Sequence, residues 1–327
     1  MELTPEQWAN ETALAALSRL NPSSARQCTR SVDFLDLSPA GSSRFATCPT
    51  CVFTTASGVR IVYQYSHGAK TPLVILGGGT TGRKEACTTY GAEEQHFSSN
   101  AVLIFDRRNT GSSDVNYAGF TTELKAQVSD VAELLEHLQL PRVILYGHSS
   151  GARLLGMLAN NRPDLVTAVA LCSLTGGRKA ARELARQYYT AHANAAESEG
   201  MELVLARPTF AQCSQRNGRV APYLRALPVD EFLRVMRASA SAFLETQDEP
   251  ALCLRAADLA RLRVPALLLN KKPQPGDGMH TEEATRAVAA VLPLSEPPVV
   301  STKPAVWATA LRSFVERHSV ATASSCM

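Results

Sequence analysis

The chain has 327 residues, 45% of them apolar, and a formal net charge of +3, with its lysines and arginines scattered rather than gathered in runs. That composition supports a sizeable buried core and argues against nucleic acid or an anionic membrane as partner. No apolar run has the length of a membrane span, and no basic region followed by an apolar one opens the chain, so a soluble, cytoplasmic protein is expected. The eight cysteines are spread along the sequence, which suits reduced thiols. Cys48-Pro49-Thr50-Cys51 has the spacing of a redox or zinc pair, but no second pair or histidine cluster accompanies it, so neither a metal nor a cofactor is expected.

Residues 1–50 read as an extension. Thr4 to Leu20 has the pattern of an amphipathic helix, with Trp8, Leu14, Leu17 and Leu20 along one side. Such a helix would pack on the core or on the second subunit of a homodimer. From Cys51 the pattern turns to strands: Val52 to Thr55 and Val59 to Tyr65 flank the hairpin signal Ala56-Ser57-Gly58. Pro72 to Leu76 is a short unbroken apolar run of the kind found in a parallel sheet covered on both faces. It leads into Gly77-Gly78-Gly79-Thr80-Thr81-Gly82. A phosphate-cradling loop would require Lys-Ser or Lys-Thr after the last glycine, and Arg83-Lys84-Glu85 excludes it.

Ala101 to Phe105 is the next buried strand, followed by the charged turn Asp106-Arg107-Arg108-Asn109-Thr110-Gly111-Ser112-Ser113-Asp114. A helix spans about Thr122 to Leu138, with Val128, Val131, Leu134, Leu135 and Leu138 at helical spacing. Val143 to Tyr146 then reads as a buried strand and Ala152 to Ala159 as a helix, joined by Gly147-His148-Ser149-Ser150-Gly151. A strand that becomes a helix within so few residues needs a strained corner. Flanking glycines let the two backbones approach, so that the central serine projects at the sheet edge with a helix N-terminus behind it. Val166 to Leu174 is a further apolar strand. Between Arg178 and Leu262 no convincing strand occurs; helices are expected over Ala180–Ala196, Val229–Thr246 and Leu252–Leu262. Val264 to Leu269 resumes the sheet, Thr281 caps a helix begun by Glu282 and Glu283, Pro297 to Ser301 is the last strand, and Val306 to His318 the closing helix.

The Gly147-x-Ser149-x-Gly151 corner between strand and helix resembles the nucleophile elbow of the α/β-hydrolase superfamily, and the resemblance runs from about Val59 to Phe314. It implies an α/β fold class: a mostly parallel, doubly wound sheet with a helical cap insertion, here preceded by the N-terminal helical extension. The core would comprise 51–176 and 263–318, the cap 177–262, and 319–327 a flexible tail. The turn from Asp106 resembles the family's Asp-x-Arg-x-x-Gly-x-Ser turn, with Asn109 where glycine is common, and is expected to fasten a loop rather than react.

The resemblance implies Ser149 as nucleophile. It also implies an oxyanion hole from the backbone of Gly78, Gly79, Thr80 and Ser150, the glycine loop having lost the family's frequent histidine. The family orders its triad serine, acid, histidine. Asp277 stands at the acid's place, but the loop Val300 to Trp307, where the histidine belongs, has none. Of the seven histidines, His280 alone lies in a loop expected at the carboxyl edge of the sheet, three residues after Asp277, whereas His148 should point away from Ser149. Two readings follow. In one, His280 replaces the missing base and Ser149 cleaves an ester, lactone or activated C–C bond of a small organic molecule. In the other, the site is degenerate and the protein catalyses a lyase, isomerase or cyclisation step, or binds a small molecule. A scaffold role for the N-terminal helix is a third.

Overall fold

Apolar runs form the interior of one eight-stranded sheet in the computed structural model, which describes residue 45 and residues 48–79, 97–271 and 278–321. The strands are β1 (Cys51–Thr54), β2 (Arg60–Ser66), β3 (Lys70–Leu76), β4 (Asn100–Phe105), β5 (Val143–His148), β6 (Val166–Cys172), β7 (Ala266–Asn270) and β8 (Val299–Val300), in the order β1-β2-β4-β3-β5-β6-β7-β8. β1 and β2 form the expected hairpin and β2 runs antiparallel to β4; every other neighbouring pair is parallel. Its turn closes through Gly58, whose amide donates to the Thr55 carbonyl, and through Val59, whose amide donates to the Thr55 hydroxyl.

Successive strand residues point to opposite faces, and both faces are covered. Val74, Leu76, Leu103, Phe105 and Leu145 pack with helices α1 (Glu123–His137) and α2 (Ser150–Asn161). Leu73, Ile75, Val102, Ile104 and Tyr146 meet Trp307, Leu311 and Phe314 of the closing helix instead. The α/β fold expected from the sequence is therefore the one observed, while the N-terminal helix expected over Thr4–Leu20 lies outside the described residues.

Between β6 and β7 the chain is helical: α3 (Gly177–Ala185), a π-helical turn (Arg186–Thr190), α4 (Ala191–Glu199), α5 (Met201–Ala206), α6 (Pro208–Arg216), α7 (Val220–Ala226), α8 (Val229–Glu245) and the short α9 (Ala256–Leu259). These helices bury a core of their own around Phe210, Phe232 and Phe243, joined by Val115 and Tyr117 from the loop after β4. Two expected helices are altered. The one over Ala180–Ala196 widens into the π turn, where Tyr188 and Tyr189 sit; the one over Leu252–Leu262 shrinks to α9. The residues ahead of α9 are used otherwise, since the Leu252 amide donates to the Thr175 carbonyl and Ala251 bridges Leu254.

After β7, α10 (Glu282–Val291) starts at Thr281, whose hydroxyl accepts from the Ala284 amide at 3.1 Å, and α11 (Pro304–His318) closes the fold. The chain just past α11 is fastened, not frayed. The Val320 carbonyl accepts from the Thr71 amide, Ala321 bridges Lys70, and Asn100 donates to the Ser319 hydroxyl, so these contacts correct the expectation of a tail free from Ser319. Residues 322–327 lie outside the described ones.

β3 sits between β4 and β5, so the chain leaves it first to one side and later returns on the other. Loops beyond the carboxyl ends of such strands diverge and open a crevice. The loops after β3, β4, β5 and β7 meet there.

Candidate active site

The corner between β5 and α2 is set by close backbone approach. A Cβ on Gly147 would lie 2.6 Å from the Gly151 carbonyl oxygen and 2.7 Å from Ala152 Cα, and a Cβ on Gly151 would lie 2.5 Å from the Leu76 carbonyl oxygen. Neither position can hold a larger residue unless backbone moves. Ser149, between them, takes φ 53 and ψ −113. A non-glycine residue held there carries strain of about 1–3 kcal/mol, tolerated where the surrounding structure over-determines it. Here the Ser149 amide donates to the Cys172 carbonyl at 2.9 Å and its carbonyl accepts from the Arg153 amide at 3.1 Å.

The Ser149 hydroxyl lies 2.8 Å from His280 Nε2. That distance is within hydrogen-bond reach, as proton transfer between a hydroxyl and an imidazole requires. His280 arrives from the loop after β7, and its backbone is held by Asn270, the fully buried last residue of that strand. The Asn270 side-chain amide donates to the carbonyls of His280 (3.4 Å) and Thr281 (3.1 Å) and to the Thr285 hydroxyl (3.0 Å). His148 packs nearby, its ring 6.1 Å from that of His280; burial, helped by the charge of Lys271, lowers its pKa to about 3, so it stays neutral at neutral pH.

Of the residues singled out in the sequence, Ser149, His280, Ser150, Gly78 and Gly79 therefore gather at one place. A Cβ at Gly78 would fall 3.0 Å from Ser149 Cβ, which puts the glycine loop against the serine. The Gly79 carbonyl accepts from the Ser150 hydroxyl (2.9 Å) and from Arg107 (2.6 Å), whose other amino group donates to the Ser150 hydroxyl at 3.1 Å. Thr80 and Asp277 lie outside the described residues. The turn after β4 is closed by its own charges: Asp106 accepts from the Ser112 amide, and Arg108 makes a two-bond ion pair with Asp130 of α1. Asn109, at φ 65, adopts the left-handed conformation that glycine and asparagine accept most readily.

Beside the elbow is a cavity of about 60 Å³, lined on the sheet side by Gly79, Arg107, Glu123, Ser150 and Arg153 and on the helical side by Tyr188, Tyr189, His192 and Phe210. Burial pulls Arg107 below the usual guanidinium range, with Glu123 opposing. Burial also raises Glu123, against the hydrogen bond from Asn109 and the charge of Arg107. Burial lowers His192 to about 4. Among the described residues no three or more histidine, cysteine or carboxylate side chains gather as a metal site.

Arg153, Glu123, Tyr189 and Asn270 were not singled out from the sequence. Arg153 left a signal, being a charge one turn past the serine in the otherwise apolar run Ala152-Arg153-Leu154-Leu155. Asn270 left none, because its role depends on three acceptors brought to it by the fold.

A profile described as the alpha/beta hydrolase family matches residues 77–308, more than half of the 327 in the chain. The chain belongs to the alpha/beta hydrolase family. Among its relatives is a Bacillus subtilis (strain 168) protein provisionally named 2-succinyl-6-hydroxy-2,4-cyclohexadiene-1-carboxylate synthase, 30% identical over 130 residues; the match covers 40% of this chain and spans only 46% of that relative's length. Solved structures of similar fold include a hydrolase from Pseudomonas aeruginosa PA01, with 21% identity, a TM-score of 0.55, and 82% of this chain and 97% of that one covered. Another is the enol-lactonase from Burkholderia xenovorans LB400, with 18% identity, a TM-score of 0.53, and 82% and 98% covered. The relative and the two structures of similar fold thus bear synthase, hydrolase and lactonase names, and the chemistry must be argued from the site.

Proposed function

We propose that this family member is a serine hydrolase that cleaves an ester, lactone or activated C–C bond of a small organic molecule, with Ser149 as nucleophile and His280 as its base. The observation that carries the reading is the 2.8 Å contact between the Ser149 hydroxyl and His280 Nε2, made at a serine held in strained geometry at the crevice. As the Ser149 oxygen bonds to the substrate carbonyl carbon, its proton passes to His280 Nε2 and the carbonyl electron pair moves onto oxygen. Backbone N–H groups of Ser150, Gly78, Gly79 and Thr80 receive that oxyanion. Collapse expels the leaving group, which takes the proton from His280; a water then attacks the acyl-serine with His280 again as base, the bond to the Ser149 oxygen breaks, and that oxygen takes the proton back from His280 as the acid leaves. Asp277 would orient the imidazole, and the helices from 177 to 262 would form a cap that covers the site and shapes substrate choice.

A second reading keeps the same serine and imidazole for a lyase, isomerase or cyclase step without net hydrolysis. It is favoured by the synthase name of the Bacillus relative.

Fluorophosphonate labelling and turnover of a chromogenic short ester test the first reading. Stoichiometric labelling at Ser149 is expected, with turnover abolished in Ser149→Ala. His280→Ala should lower kcat/KM at least a hundredfold, within the roughly 10²–10⁴-fold supplied by a general base. Wild-type turnover in His280→Ala removes that residue from the mechanism, and no labelling at all removes the activated serine.

A further inference from the structure

The cavity beside the elbow holds more positive charge than the protein answers. Arg153 is 4% exposed. One of its amino groups donates to the Thr175 hydroxyl at 2.9 Å, and its guanidinium rests 4.6 Å from the centre of the Phe243 ring. Its Nε is buried without a partner, as is Nε of Arg107, and among the described residues neither arginine forms an ion pair with a carboxylate. Glu123 is the one carboxylate among the cavity's lining residues, and Asn109 holds it. A buried cation without a counter-ion is costly, and unsatisfied buried donors in a native structure call for an explanation.

The two arginines differ in what remains to them. Arg107 spends both amino groups on Gly79 and Ser150 and so positions the glycine loop, whereas Arg153 commits one amino group and keeps donor capacity on the wall of the cavity. A space of about 60 Å³ has room for a small polar group such as a carboxylate. A planar guanidinium is matched in shape and charge by a carboxylate. Arg153 also lies one turn of α2 beyond Ser149, within the span of a short dicarboxylic half-ester.

We propose that Arg153 is the carboxylate-binding residue of a substrate subsite in this cavity, with Arg107 adding a second positive charge, and that the substrate is a small organic acid bound by its free carboxylate while Ser149 attacks a carbonyl farther along. The assignment of the attacked carbonyl rests on the hydrolytic reading; the carboxylate subsite does not. Glutarate titrated calorimetrically into Ser149→Ala reads the subsite with no turnover. Binding is expected there, at least tenfold weaker once Arg153→Met is added; equal affinity in the two proteins, or none in either, overturns the subsite. In the kinetic arm, the ratio of kcat/KM for p-nitrophenyl hemiglutarate to that for p-nitrophenyl butyrate should fall at least thirtyfold from wild type to Arg153→Met, and a change under threefold overturns the subsite. If the methionine variant does not fold, Arg153→Lys takes its place with an expected fall of at least fivefold, and an unchanged ratio overturns the subsite. A wild-type protein that binds glutarate but hydrolyses neither ester upholds the subsite and removes the hydrolytic reading. One that hydrolyses the butyrate but binds no glutarate does the reverse.

Discussion

Two buried arginines stand on either side of the crevice, Arg108 in the turn after β4 and Arg153 on α2, at 3% and 4% exposure. Each lies over an aromatic ring, Phe120 at 5.0 Å and Phe243 at 4.6 Å. Their partners differ. Arg108 reaches both oxygens of Asp130, at 2.6 and 2.5 Å, while Arg153 has a threonine hydroxyl. The same side chain is closed off with its counter-ion where the structure needs a fixed turn, and left with spare donors where the cavity meets the elbow. Burial alone therefore says little about a charged residue's role; the identity of what answers the charge says more.

The largest effect expected from this contrast lies in the paired region. Asp130→Ala strands the Arg108 charge and should cost about 3–5 kcal/mol of stability, read from urea unfolding. A loss under 1 kcal/mol would mean that Arg108 finds water or another acceptor, and the contrast with Arg153 would collapse. The second effect concerns His192, on the helical wall of the same cavity, whose Nδ1 is buried without a partner and whose ring meets Phe210 edge-on. Its pKa is about 4 in the folded protein, below the ordinary 6.5, because of burial and then the charge of Arg207. Above pH 6.5 it is neutral in both states and contributes no slope. Between pH 6.5 and 4 the unfolded chain takes a proton that the native ring refuses, so stability falls by up to about 1.4 kcal/mol per pH unit, reaching roughly 3 kcal/mol. His192→Gln should flatten the fall of the urea midpoint over that window by close to one proton, and a parallel fall in both proteins would show the ring to be solvated. The smallest effect is on the unpaired side. Arg153→Met removes a buried charge with no counter-ion and should change stability by less than about 1 kcal/mol, with a gain acceptable. A loss comparable to that of Asp130→Ala would make Arg153 a structural residue like Arg108.

Much of the architecture is legible in the sequence. Runs such as Ala101–Phe105 and Val143–Tyr146 are apolar without alternation, and only a sheet covered on both faces buries such strands. Gly147 and Gly151 announced the elbow because a corner that tight has no room for side chains, a local condition that a local motif can state. The tie of Val320 to Thr71 and the short α9 were not legible, since both depend on hydrogen bonds between segments distant in the chain.

The order of residues along the chain thus determined the strands, the elbow and the candidate serine, since periodicity and glycine placement act over a few neighbouring positions. It also reduced the imidazoles to His280 by elimination, but could not measure its reach to the serine. That reach is set by the lateral spacing of β5 and β7 and by Asn270 holding the backbone of His280 and Thr281. The unanswered charge of Arg153 was likewise decided only in three dimensions. Whether a buried cation has a counter-ion depends on every element packed around it, and no stretch of sequence contains them all.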